Sequence, residues 1–152
     1  MNKWRPMKRK DLPTFLDLAR QVWPHHEESD EVMIGRYTLH PKGFYVYEID
    51  DVPSGYVMSH PVNAHKPPKL NKHYVLSDKK EHFYHIHDAA LLKIARGNNA
   101  FNDIWPKLLN NANGYLYMSL VSVGNTEQFW SKFGFVKYNI NSDYGTYMVK
   151  KL

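Results

Sequence analysis

With 152 residues, the chain has room for one domain built around a single sizeable core. Apolar residues make up 43 % and charged residues 23 %, as in soluble globular proteins; no stretch approaches the roughly 18 apolar residues of a membrane span, and the lack of cysteine excludes disulfides, thiolate zinc sites and a cysteine nucleophile. A net charge of +5 favours anionic partners, but the basic residues are spread along the chain with only a small cluster at 7–10, so nucleic acid is not the expected one.

The opening "MNKWRPMKRKDL" lacks the apolar core of a signal peptide, which makes the cytoplasm the default compartment. "KWRPM" reads as a short strand. "DLPTFLDLARQVW" then sets Leu12, Phe15, Leu16, Ala19 and Val22 at helical spacing, with Asp11 as the expected N-cap and Pro13 in the first turn. "EESDEVMIGRYTL" is a second, weaker amphipathic helix, entered after Pro24 and closed before Pro41. "GFYVYEI" and "GYVMSHP" are strands rich in β-formers, joined as an antiparallel hairpin by a turn at "DDVPSG".

The lysine- and proline-rich stretch "VNAHKPPKLNKHYVLSDKKE" has no clean period and reads as a long surface loop. "HFYHIHDAALLKI" becomes continuously apolar, as a strand covered on both faces does, which places it centrally in the sheet. After "ARGNN", residues Phe101, Ile104, Trp105, Leu108 and Leu109 form one helical stripe that Gly114 closes. Pro106 within it predicts a kink or a later start, since an interior proline costs roughly 3 kcal/mol. "YLYMSLVSV" is a further strand, "NTEQFWSKFGF" a short helix with an Asn cap, and "VKYNI" with "TYMVKKL" a closing hairpin. The predicted order gives one α+β domain over residues 1–152, with a mixed, mainly antiparallel central sheet flanked by helices.

A strand that enters a short Gly-containing loop and then a helix gathers unpaired N–H groups and the positive end of a helix dipole at one point, which is an anion site. In "ARGNNAF", Gly97 lets a phosphate approach the backbone, Asn98 or Asn99 can cap the helix, and Arg96 adds charge.

The same stretch has a place in a longer pattern. "DAALLKIARGNNAF", from Asp88, resembles the acetyl-CoA loop of the Gcn5-related N-acetyltransferase (GNAT) family, in which a strand leads into Arg-Gly-x-Gly-x-Gly or Ala. Arg96 and Gly97 match; Asn99 and Phe101 replace the second and third small residues. "LVSVGNTEQFWSKFGF" is similar to the family's splayed strand and the helix after it, through Trp130, Lys132, Gly134 and Phe135. With the opening helix and hairpin, the resemblance spans nearly the whole chain.

The resemblance implies a GNAT-like acyl-CoA N-acyltransferase fold and an acetyl-CoA-dependent N-acetyltransferase, with a primary amine of a small molecule or peptide attacking the thioester directly. Acetyl-CoA, as co-substrate, would lie between the fourth and fifth strands. Leu91, Leu92, Lys93 and Asn125 would border it, and the amides of Arg96, Gly97, Asn98, Asn99, Ala100 and Phe101 would hold its pyrophosphate. The large Phe101 ring stands to crowd that group. A backbone N–H near Leu91 would stabilise the oxyanion, a donor typically worth about 10²- to 10³-fold in rate.

The amine must lose a proton, which suits a histidine or carboxylate. Strict alternation puts His85 and His87 on one face with Ala89 and Leu91, making His85 the first choice of base, while Asp88 points the other way to orient a neighbour or cap a loop. Trp130 occupies the position of the family's thiolate-protonating tyrosine and cannot give up its indole proton, so water, Tyr138, Tyr144 or Tyr147 would take that role. His82, His85 and His87 also raise zinc, but no further ligand is identifiable and no metal is expected. Substrate would enter past Trp23, His25, His26, Tyr45, Tyr47 and His60. Asn99, Phe101 and Trp130 motivate an alternative, a catalytically impaired binding module for CoA or a partner on the same fold. The oligomeric expectation is a monomer or homodimer.

Overall fold

A computed structural model describes residues 1–24, 28–62, 66–72, 83–97, 99–139, 142 and 144–152. Among the described residues, seven strands form one sheet in the order β1-β2-β3-β4-β5-β7-β6: β1 (Asn2–Pro6), β2 (Phe44–Ile49), β3 (Val52–Val62), β4 (Phe83–Leu91), β5 (Tyr117–Ser122), β6 (Val136–Lys137) and β7 (Thr146–Lys151). Every neighbouring pair is antiparallel except β4 and β5, which run parallel. The mixed, mainly antiparallel sheet expected from the sequence is the one observed.

Four helices flank it: α1 (Leu12–Val22), α2 (Asp30–Leu39), α3 (Ala100–Asn111) and α4 (Glu127–Ser131). One face of the sheet, through Phe44, Val46, Tyr56, Met58 and Ala90, packs on Phe15, Leu16 and Ala19 of α1 and Met33 and Tyr37 of α2. The other, through Tyr45, Val57, Tyr84, Ile86, Met118 and Leu120, packs on Phe101, Ile104 and Leu108 of α3. The helical stripes read from sequence are these buried faces.

Local chemistry moves several boundaries. Asp11 does not cap α1 with its side chain: a 3₁₀ turn (Arg9–Asp11) intervenes, and the Asp11 carboxylate accepts from the Lys8 amide (2.7 Å) and from both terminal nitrogens of Arg5. Ser29 caps α2, accepting from the Val32 amide at 3.2 Å. The hairpin turn is shorter than expected, because Asp50 and Asp51 both sit at positive φ (49° and 66°), the two-residue geometry that matches strand twist, and Pro53 falls inside β3. Thr126, not Asn125, is the N-cap residue of α4.

Helix α3 is assigned as one helix from Ala100 through Pro106, with no later start. The carbonyl that Pro106 leaves without its donor belongs to Asn102, and both residues are exposed, so the freed carbonyl lies on the solvent side of the helix rather than in the core.

Candidate active site

Strands β4 and β5 are laddered over three pairs only, Tyr84 with Met118, His85 with Ser119 and Ile86 with Leu120. Beyond Ile86 the two strands part, although β4 continues to Leu91 and β5 to Ser122. A cleft therefore opens in mid-sheet, at the place the GNAT resemblance implied.

The parting coincides with a bulge. Met58 pairs with Asp88 but Ser59 pairs with Ile86, which leaves His87 as the extra residue on β4. An extra residue reverses the facing of everything beyond it. Ala89 packs with the α3 cluster and Leu91 with Tyr47, Ala95 and Ala100, while His85, His87 and Asp88 all lie on the α1–α2 face. The expected grouping of the two histidines with Ala89 and Leu91, and of Asp88 opposite, is corrected accordingly.

His85 is 1 % exposed and its Nδ1 lies 2.8 Å from Ser119 Oγ; burial, with His87 and Arg36 nearby, holds it well below the usual imidazole range. It is a poor proton acceptor there. His87 Nε2 lies 2.6 Å from Glu28 Oε1, and its ring centroid is 5.5 Å from that of His60 and 5.9 Å from that of His85. His87 Nδ1 is buried with no hydrogen-bond partner among the described residues. Asp88 accepts from Trp23 Nε1 (3.1 Å) and Tyr56 Oη (2.6 Å), and burial raises its carboxyl above the usual range.

Glu28, which sequence reasoning missed, is the hub of this cluster. Burial works against its charge, yet the hydrogen bond from His87 and the nearby Arg36 bring it down to about 2. Arg36, 1 % exposed, reaches Glu28 Oε2 (3.3 Å), His60 Nε2 (3.0 Å) and the carbonyls of Lys69 and Lys72. No spacing pointed to Glu28, because the partner it serves is 59 residues away.

At the α3 end of the cleft, Gly97 has φ +83° and a Cβ built there would meet nothing within 4 Å, and Asn99 is left-handed at φ 53°. Asn99 is the N-cap residue, but its side chain accepts no capping bond. No described residue accepts from the amides of Gly97, Asn99, Ala100 or Phe101, whereas Asn102 donates to Asn99. The Phe101 ring is 7 % exposed and points into the core, with centroids 5.0 Å from Trp130, 5.0 Å from Phe133 and 5.6 Å from Phe129. The ring expected to crowd the pyrophosphate is thus packed among the α4 aromatics.

Three cofactor expectations are narrowed. The Leu92 amide is committed to Ser54 O (2.8 Å) and the Arg96 amide to Lys93 O (3.2 Å), while Arg96 Nε turns back to Leu91 O at 3.1 Å. Lys93 is exposed in a 3₁₀ turn (Lys93–Ala95), and Asn125 is exposed at φ 62° before α4. Asn98, His25, His26 and His82 lie outside the described residues.

Trp130 packs edge-on against Phe101 and Phe129, so its place is in the α3–α4 aromatic cluster. The Tyr45 hydroxyl accepts from Asn111 Nδ2, and the Tyr47 ring is tilted against Trp4 with centroids 4.9 Å apart, both on the α3 face. Trp23 and His60 do reach the polar cluster. Tyr144 binds Pro68 O, Tyr138 is exposed, and Tyr147 is buried on the α1–α2 face, where desolvation raises its hydroxyl.

No protein-family model matches the sequence, and no curated protein sequence matches it. Solved structures do. The loading GNATL domain of CurA from Lyngbya majuscula aligns at TM-score 0.79 with 12 % identity, covering 99 % of this chain and 98 % of that one. Naa50 from Arabidopsis thaliana, solved with the bisubstrate analogue CoA-Ac-MVNAL, aligns at 0.71 with 15 % identity over 97 % and 95 %. The PaiA N-acetyltransferase from Thermoplasma acidophilum, solved with coenzyme A, aligns at 0.67 with 14 % identity over 100 % and 99 %. The architecture is thus the GNAT acyl-CoA N-acyltransferase fold.

Proposed function

We propose that the protein is an acetyl-CoA-dependent N-acetyltransferase that moves an acetyl group to a primary amine of a small molecule or peptide. The observation that carries this reading is the parting of β4 from β5 beyond Ile86, on the strand that leads through the turn at Gly97 into the open first-turn amides of α3. A diphosphate is matched by those amides and the helix dipole behind them, and the two departures at Asn99 and Phe101 leave the amides uncovered. Structural neighbours bound to coenzyme A or a bisubstrate analogue support the same class.

Acetyl-CoA supplies an acyl carbon activated as a thioester. The chain supplies position and proton transfer. Because the Leu92 amide points to β3, strand alternation turns the Leu91 amide to the cleft edge, where it suits an oxyanion. His87 Nδ1 is the nitrogen we assign to receive the amine's proton, since it has no hydrogen-bond partner among the described residues whereas His85 Nδ1 is engaged with Ser119. With Trp130 in the aromatic cluster, the departing thiolate, whose ordinary pKa is about 8.5, takes its proton from water.

Acetyl-CoA should raise the melting temperature of the purified protein, by an amount that grows with the logarithm of its concentration once above Kd. A free-thiol assay across an amine panel then reads turnover. No melting shift at millimolar acetyl-CoA contradicts the proposal, and a shift without turnover replaces it with the binding-only module.

A further inference from the structure

Beside the cleft, two residues from separate parts of the chain form a dyad that the reaction class alone does not require. Glu28 precedes the Ser29 cap of α2, and His87 is the bulged residue of β4. Their side chains are 10 % and 2 % exposed, and Glu28 Oε1 lies 2.6 Å from His87 Nε2. A buried Nδ1 that meets no described acceptor has nothing to hold an N–H, so the ring proton belongs on Nε2, against the carboxylate.

We propose that Glu28 is a positioning residue: by accepting the Nε2–H of His87 it fixes the tautomer that leaves the buried Nδ1 without a proton, so that this nitrogen, on the strand that parts from β5, can take the proton of the incoming ammonium. The catalytic half of this inference rests on the acetyltransferase reading. The substrate ammonium gives one proton to Nδ1; the freed amine bonds the acyl carbon as the C–S bond breaks with its electron pair on sulfur; the second nitrogen proton is released and sulfur is protonated from water. Imidazolium formed on His87 then faces a carboxylate, so the charge is compensated where it appears.

Glu28 is itself fixed. Its Oε2 accepts from Arg36 and from the Asn71 amide (3.1 Å), and the Ser29 amide donates to Asn71 Oδ1 (2.7 Å). The groups that face His87 are Glu28 ahead of α2, Arg36 on α2, His60 on β3 and His85 and Asp88 on β4. Among the described residues, Glu28 is the one in direct hydrogen-bond contact with its ring.

Nitrogen NMR of the imidazole rings in the wild-type protein tests the tautomer directly. The expected result is a neutral His87 carrying its proton on Nε2, converting to a mixture of tautomers in Glu28→Gln. In the thiol-release assay, E28Q should lose about 10- to 100-fold in kcat/KM, with the acidic limb of its pH profile moved to lower pH. His87→Ala should lose more, and adding E28Q to it should cost nothing further, because Glu28 acts only through the His87 ring.

A wild-type ring protonated on Nδ1 overturns the proposal, as does an active E28Q with the wild-type rate and profile, or additive losses in the double variant. Should E28Q not fold, the wild-type tautomer still decides. Absence of acetyl-CoA-dependent thiol release with every amine overturns the acetyltransferase reading and the catalytic role together, whereas the failures above leave that reading standing.

Discussion

Phe101 carries the sharpest residue-scale result. In place of a small residue in the resembled loop, its ring would reach either the diphosphate site or the core. It takes the core because α4 offers a socket of aromatic edges, Phe129, Trp130 and Phe133, and burying a ring against them outweighs leaving it in water. Phe101→Ala should therefore destabilise the protein by about 3–5 kcal/mol in urea unfolding. Whatever fraction stays folded should bind acetyl-CoA nearly as well, since the groups proposed to bind it are backbone amides. A stable variant that loses binding would show that the ring touches the cofactor instead. Glu28 teaches the complementary point: its identity is visible in the sequence, its partner is not.

At the scale of the element, β4 and its bulge decide the chemistry. A period-two pattern assigns His85, His87 and Asp88 to opposite faces, and a single extra residue at His87 puts all three on one. The composition of the strand was legible, but the bulge arises from how β3 and β4 register against each other, which no local pattern records. The far end of the same pair is close-packed at Gly55: a Cβ there would lie 2.5 Å from Leu91 Cδ2 and 2.8 Å from the Ala90 carbonyl. Gly55→Ala should cost about 1–3 kcal/mol and push the end of β4 toward the cleft. Urea unfolding, together with a smaller acetyl-CoA melting shift than wild type, checks both effects; an unchanged shift would mean that β4 does not move.

For the molecule as a whole, buried histidines set the response to acid. Burial holds His60 and His85 well below their ordinary value, with His87 and Arg36 adding to the effect, and burial with Lys42 lowers His40 to about 4. In the unfolded chain each titrates near 6.5, so the unfolded state binds more protons below that pH. Their contribution is complete above pH 6.5 and is lost as pH falls, for His40 between about 6.5 and 4. Each should steepen the loss by about 1.4 kcal/mol per pH unit. Glu28, lowered to about 2 against an ordinary 4.5, contributes above 4.5 and fades only between 4.5 and 2. Urea midpoints measured from pH 7.5 to 4.5 should fall by more than one proton's slope; a flat profile would contradict the buried, neutral histidines.

Elements, their order and the apolar stripes of α1 and α3 were legible in the sequence, because helix and strand periodicities and turn chemistry are local properties. The sequence also pointed to the turn at Gly97 as a place of open amides, since a Gly-containing turn between strand and helix leaves first-turn N–H groups without helical partners. Tertiary structure alone decided where β4 leaves β5, which way Phe101 turns, and that Glu28 meets His87 across 59 residues. Those outcomes depend on register and packing between distant segments, and contacts of that kind have no counterpart in the neighbouring sequence.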